Sequence, residues 1–299
     1  MLPEKDVRFY QDNGFVVEQE FFDRATIAEL GRACDALCAK AGSLTKNDDY
    51  YDLEDSHSAK DIRVRRLKKP TEMDPVFYKI ARNPKLLAAL SQLIGPGIRL
   101  SHPTGKINIK GPEYGAPVEW HQDWAAYPHT NDDLLSVGIP LDDCMEENGP
   151  LLVIPGSHKG PTYSHHVNGV YCGGIDPIES GIDFSTAVAL TGKAGMVTFH
   201  HARTVHGSAL NKSKRSRRLF LLQYAAIDAW PILGIQSLDK FNQGIVQGEP
   251  TLEPRTVVTP IRIPLPKAPT LGSIYEEQRI MAHRHFEQYG TPKKATVDA

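Results

Sequence analysis

In residues 1–97 the apolar positions recur mostly at helical spacing. VRFYQDNG (7–14) reads as a brief helix stopped by Asn13-Gly14, followed by an extended FVVEQEFF (15–22). Asp23 then caps a helix over 25–41, where Ile27, Leu30, Ala33, Cys34, Leu37 and Cys38 share one face. Residues 42–60 are polar and aperiodic and predict a loop. A second helical block, 74–95, is interrupted at Asn83-Pro84 and closed by Gly95-Pro96-Gly97.

From Ile98 the pattern shortens to apolar runs punctuated by Gly, Pro and Asn, at 98–102, 106–110, 117–123, 134–141, 150–155, 195–202 and 217–226. Short strands separated by turn signals predict a β-sandwich or barrel. The long segment 157–193, rich in Gly, His and Tyr, is a lid candidate, because loops of that length inside a compact domain usually carry function. Beyond Trp230 come extended pieces and one amphipathic helix, 272–290. The expected organisation is a single domain over 1–299, mainly β with flanking helices. It comprises a helical N-terminal layer (1–97), a β core (98–228) and a C-terminal extension (229–299).

Composition narrows the partners. With 34 Lys and Arg against 36 Asp and Glu, the 299-residue chain has a formal charge of −2, which argues against a protein that coats nucleic acid. The start lacks the apolar core of a secretory signal, and no apolar run approaches the ~18 residues of a membrane span. Cysteines at 34, 38, 144 and 172 form no CxxC pair, so neither a disulfide framework nor a cysteine zinc site is expected. The expectation is a cytoplasmic protein with a small-molecule substrate and neither nucleic acid nor membrane as partner.

Candidate chemistry centres on His121-Gln122-Asp123, at the end of a predicted strand. Residues i and i+2 of a strand share a side, so His121 and Asp123 form a two-point metal chelate lacking a third ligand. HHARTVHGS offers that ligand in His200, His201 or His206. His200 and His201 are adjacent and point to opposite faces, while His206 stands at a strand end beside a glycine-serine pair. Two histidines and one carboxylate suit the facial triad of non-haem Fe(II) oxygenases, although ligand types alone leave zinc open. GSALNKSKRS then reads as a turn into a strand starting at Arg217. If the strands pair, Arg217 lies beside His206, and its guanidinium suits a carboxylate of a cosubstrate whose 2-oxo acid end chelates the metal.

HxD (121–123), EENGPLLVIPGSHKG (146–160) and HGSxxNxSxxxRR (206–218) together resemble the phytanoyl-CoA dioxygenase family, which includes ectoine hydroxylase. FYQDNGFVVEQEFF is similar to that family's opening segment. The resemblance implies a double-stranded β-helix (jelly-roll, cupin-like) core and an oxygenase using Fe(II), 2-oxoglutarate and O2. It implies that His121, Asp123 and His206 bind iron and that Arg217 holds the distal carboxylate of 2-oxoglutarate. Ser208 and Asn108 would assist, with no catalytic side chain beyond the metal ligands. Halogenating relatives have a small residue in place of the carboxylate, so Asp123 favours oxygen insertion. The implied reaction hydroxylates a C–H bond of a small organic molecule and releases succinate and CO2. Its rivals are desaturation or epoxidation by the same oxidising chemistry, or a non-catalytic cupin-like binding protein.

The basic run at 62–69, read as a strand, places Arg63 and Arg65 on one side as candidates for an anionic substrate. Trp120 and Trp124 fall on the face opposite His121 and predict core packing. A bend after Asp123 would turn Tyr127 to the pocket, as a substrate-binding candidate.

Overall fold

Strands from distant parts of the chain interleave into two antiparallel sheets. In the computed structural model, which describes residues 1–112, 115–267 and 273–288, the larger sheet has eight strands. Their spatial order is β1 (Phe15–Glu18), β11 (Val197–His201), β6 (Leu134–Pro140), β13 (Arg217–Ala226), β4 (Ile98–Lys110), β3 (Val64–Leu67) and β2 (Tyr51–Leu53). The eighth, β14 (Ile245–Gln247), also pairs with β4. The smaller sheet runs β10 (Val188–Leu190), β7 (Leu151–Val153), β12 (His206–Ser208) and β5 (Val118–His121). A separate ribbon joins β8 (His166–Val167) to β9 (Val170–Tyr171).

Period-two alternation gives the large sheet two different faces. Val137, Ile139, Val197, Phe199, Phe220, Leu222 and Tyr224 belong to the main apolar core, together with Leu30 of α2 (Arg24–Ala39), Phe77 of α4 (Pro75–Ile80) and Leu86 and Leu90 of α5 (Pro84–Ile94). The intervening residues Lys106, Asn108, Ser136, His200, Leu219, Leu221 and Gln223 line a pocket together with residues of the smaller sheet. Helix signals act as read: Asp23 accepts the Thr26 N–H at 2.7 Å, and Asn83 caps α5 ahead of Pro84. Helix α1 (Glu4–Asn13) ends at Gly14, whose φ of +80° and lack of a side chain admit His158 and Thr204.

Several local expectations change. The N-terminal layer is not purely helical beyond 15–22, since 42–60 contains β2, which pairs with β3. Three residues are too few for periodicity to register. The pairing is reinforced across the sheet, where Asp52 bonds Arg66 at 2.6 Å and Lys68 at 2.9 Å. The runs 98–102 and 106–110 are one strand, with register shifts opposite Leu221–Tyr224 and Gly105 at φ +61°. Arg217 and His206 do not face each other as a hairpin: β12 pairs with β5 and β7, whereas β13 pairs with β4 and β6. The intervening turn crosses between sheets, because Asn211 Nδ2 donates to the carbonyls of Lys110, Gly111 and Arg215.

The C-terminal segment, expected as one helix over 272–290, is three short turns among the described residues, α7 (Ile274–Glu277), a tighter 3-10 turn (Gln278–Ile280) and α8 (His285–Gln288). Residues 272, 289 and 290 lie outside the described residues. The helical path breaks because this segment packs on the smaller sheet, not on itself. Gln278 bonds Glu119 and Gly173, and Phe286 stacks on Trp120 at 5.4 Å. Phe184, from 157–193, stacks on Trp120 at 5.1 Å. That segment also supplies β10 and the β8–β9 ribbon. Among the described residues no helix is long and apolar enough to cross a membrane.

Phe220 meets Phe77 edge-on at 5.1 Å and 70°, joining the large sheet to its helical cover. Phe220→Ala should cost about 3–5 kcal/mol of stability, read as a lower urea midpoint with an unchanged slope. A loss under about 1 kcal/mol would mean that this layer contact does not hold the sheet.

Candidate active site

Antiparallel register brings the first two candidate ligands together. His206 of β12 is the direct partner of His121 in β5, and their ring centroids lie 4.0 Å apart. The chain bends after His121 into a short helical turn, Asp123–Ala125, which carries the carboxylate back to the same point. Asp123 Oδ1 lies 3.9 Å from His121 Nε2 and 4.0 Å from His206 Nε2. The ligand atoms of these three buried side chains all fall within 4.8 Å of one another, a spacing suited to one shared ion.

The surroundings prepare each ligand. His121 Nδ1 is 2.8 Å from the Glu119 carbonyl and His206 Nδ1 is 2.9 Å from that of Thr204. A carbonyl only accepts, so Nδ1 carries the proton and both Nε2 lone pairs face the ion site. Asp123 Oδ2 accepts from Ser136 Oγ at 2.7 Å and Gln223 Nε2 at 3.2 Å, leaving Oδ1 toward the histidines. Burial pushes the Asp123 carboxyl up, but His206, Lys106, His121 and His200 outweigh it and hold the group below the usual carboxylate range. Burial lowers His121 and His206, which favours the neutral imidazole that binds metal.

The three downstream histidines separate clearly. His200 lines the pocket with its Nε2 4.0 Å from Asp123 Oδ2, and its buried Nδ1 has no hydrogen-bond partner among the described residues. His201 faces the other way, toward Tyr10 and His158. The pocket reaches from the triad to Arg217 and Ser208. Arg217 is buried, with Nε donating to the Gly149 carbonyl at 3.0 Å and Nη2 bonded to the same oxygen. Asn148-Gly149, a turn signal in the sequence, therefore supplies the carbonyl that orients the arginine. Asn108 lines the same stretch, and its buried Oδ1 has no hydrogen-bond partner among the described residues.

Other candidates lie elsewhere. Arg63 bonds Asp61 and Ser56 on the surface. Arg65 is buried against Glu54 and sits over the Tyr275 ring at 5.5 Å, behind the pocket wall. Neither lines the pocket, because the β3 residue paired with Asn108 is Arg66. Tyr127 turns inward after the bend, where its hydroxyl bonds Gln223 beside Asp123, but it is not among the residues that line the pocket. The 157–193 segment reaches the site from behind. The Gln122 N–H, between the two β5-side ligands, donates to His165 Nε2 at 2.8 Å. Sequence reading missed Lys106, Ser136, Gln223, Ile274 and Tyr275 as lining residues. The alternation through KINIK carried the signal for Lys106. Ile274 and Tyr275 had none, because they come from the C-terminal segment.

The family model for phytanoyl-CoA dioxygenase (PhyH) matches residues 10–219. The chain belongs to the phytanoyl-CoA dioxygenase family. It is 36% identical over 283 residues to a probable alpha-ketoglutarate-dependent hypophosphite dioxygenase of Stutzerimonas stutzeri, spanning 93% of this chain and 98% of that protein. It is 26% identical to the human peroxisomal phytanoyl-CoA dioxygenase, over 74% of this chain and 68% of that one. EctD from S. alaskensis, solved with 2-oxoglutarate and 5-hydroxyectoine, shares the fold at a TM-score of 0.65 and 23% identity, over 88% of this chain and 89% of that one. The core is thus the double-stranded β-helix of this family. This member is a 2-oxoglutarate-dependent dioxygenase with iron as its metal, and its chemistry is hydroxylation of a small molecule.

Buried neutral histidines make this fold acid-sensitive. Burial lowers His129 and His165 to about 4 and His200 to about 3. As pH falls below the ordinary value of about 6.5, the unfolded chain gains these protons and the native state does not. Stability is therefore full above that value and is lost toward about pH 4, by up to about 1.4 kcal/mol per pH unit for each group. Urea midpoints of the metal-free protein should drop steadily from pH 7 to pH 5. A flat profile would show that these imidazoles are already charged in the native state.

Proposed function

We propose that His121, Asp123 and His206 would hold Fe(II) through Nε2, Oδ1 and Nε2, a three-ligand set that would leave the metal open to cosubstrate and O2. The direct pairing of His121 with His206, with Asp123 turned in beside them, carries this reading. Arg217 receives the distal carboxylate of 2-oxoglutarate with Ser208 beside it, and Asn108 offers its amide to the same molecule. Bound together, iron and 2-oxoglutarate supply the oxidant that puts one atom of O2 into a substrate bond and the other into succinate, with loss of CO2.

The protein's own contribution is orientation and exclusion of water. Ser136 and Gln223 fix which Asp123 oxygen faces the metal, the Gly149 carbonyl fixes Arg217, and Tyr275 closes the wall beside it. Likeness to a protein named as a hypophosphite dioxygenase supports a small anion as the substrate. A cytoplasmic setting fits the free thiols of Cys34, Cys38, Cys144 and Cys172.

Anaerobic addition of Fe(II) and 2-oxoglutarate should produce a weak visible charge-transfer band. Asp123→Ala should abolish or shift it. Arg217→Ala should weaken 2-oxoglutarate binding by about 10- to 100-fold while changing iron affinity little. Absence of the band in the wild-type protein would sink the iron assignment, and an unchanged 2-oxoglutarate affinity in Arg217→Ala would move that role to another cation. Ser136→Ala should lower iron affinity by about tenfold through loss of the Asp123 anchor, measured by chelator competition. Wild-type affinity in that variant would mean that Ser136 does not orient the ligand.

A further inference from the structure

One charged side chain in the pocket has no task in the reading above. Lys106 stands on β4 two positions before Asn108 and lines the pocket with the triad. Among the described residues its ammonium makes no hydrogen bond or ion pair, whereas the cations nearby are engaged. Arg66 and Lys68 share the Asp52 carboxylate, Arg217 is held by Gly149, and Lys110 donates to the Ser208 carbonyl at 3.2 Å. Burial lowers Lys106, and Asp123 is the carboxylate that pulls it back up.

Once the site is loaded, Asp123 no longer balances this lysine. The two charges of Fe(II) and the one of Arg217 offset Asp123 and doubly ionised 2-oxoglutarate, so the charge of Lys106 is left over. An uncompensated ammonium in a half-buried pocket is costly unless an anion meets it. A neutral substrate would leave that cost standing, whereas a monoanionic one cancels it.

We propose that Lys106 is the substrate-anchoring residue, whose ammonium receives the acid group of a small oxyanion such as a phosphinate, phosphonate or carboxylate. This rests on the iron and 2-oxoglutarate assignments above and adds a specificity determinant to them. The anchored acid group fixes which C–H or P–H bond lies beside the metal. That bond is broken and replaced by C–OH or P–OH with one atom of O2, while the other atom enters succinate as CO2 leaves. Arg217 and Lys106 then divide the work, one gripping the cosubstrate and one the substrate.

The test uses full-length enzyme loaded with Fe(II), comparing wild type with Lys106→Met and Lys106→Arg. Two quantities are read: 2-oxoglutarate affinity from the anaerobic charge-transfer band, and succinate release driven by hypophosphite, methylphosphonate, L-proline and ectoine. In Lys106→Met the band and the 2-oxoglutarate affinity should stay within about twofold. KM for the anion that stimulates wild type should rise about 10- to 100-fold, with partial recovery in Lys106→Arg. A large loss of 2-oxoglutarate affinity with substrate KM unchanged would assign Lys106 to the cosubstrate and overturn the proposal. So would unchanged KM in Lys106→Met, or a wild-type enzyme that no anion in the panel stimulates. A wild-type protein without the band would instead refute the iron assignment, which separates the two failures.

Discussion

The antiparallel pairing of His206 with His121 is the contact on which the rest of the site depends. It sets two imidazoles side by side on neighbouring strands of the smaller sheet, tilted by 51° with 4.0 Å between ring centroids, inside a desolvated pocket. Two neutral imidazoles and one carboxylate held that closely gain little from one another without a cation between them. The surrounding fold has to hold them there, and both sheets contribute. β5 and β12 supply the histidines, while β6 and β13 supply Ser136 and Gln223, which grip the far oxygen of Asp123. One side of the carboxylate belongs to the large sheet and the other is left for the ion.

The same division explains why the large sheet has such different faces. Its outer face buries Phe199, Phe220, Leu222 and Tyr224 under helices, an apolar contact that gives the strands a rigid backing. Its inner face then tolerates Lys106, Asn108, His200 and Gln223, whose burial is unfavourable by itself. Stability comes from one set of alternate residues, and chemistry from the other. The smaller sheet follows a similar rule, with Trp120 stacked between Phe184 and Phe286 behind His121.

Much of this was legible because alternation is a local property. The pairing of His121 with Asp123, the outward Trp120, the apolar runs and the Gly-Pro punctuation are all read within a few residues. Family resemblance pointed to Arg217 where local reasoning supposed a hairpin. The chain instead changes sheets after Ser208, and the arginine reaches the pocket from the other side. Arg63 and Arg65 illustrate the opposite failure, since a basic run announces charge but not the carboxylates it will meet. Asp61, Glu54 and Asp55 take up those guanidinium groups. Tyr275 entered the wall through contacts made by residues far along the chain, which no local pattern encodes.

Choosing among His200, His201 and His206 required something still finer, the tautomer of each ring. In His121, His129, His165 and His206 alike, Nδ1 lies 2.8–2.9 Å from the carbonyl two residues earlier. That repeated local bond puts the proton on Nδ1 and frees Nε2 as an acceptor. In His165 the freed Nε2 takes the Gln122 N–H between the ligands, and in His121 and His206 it faces the ion site. His200 shares the pocket but lacks this anchor, so neither its tautomer nor its ring angle is fixed in advance. A metal would have to orient His200 at its own expense, whereas His206 arrives oriented by its backbone. What sets His206 apart from the other two histidines is thus a hydrogen bond that the side-chain sequence does not record.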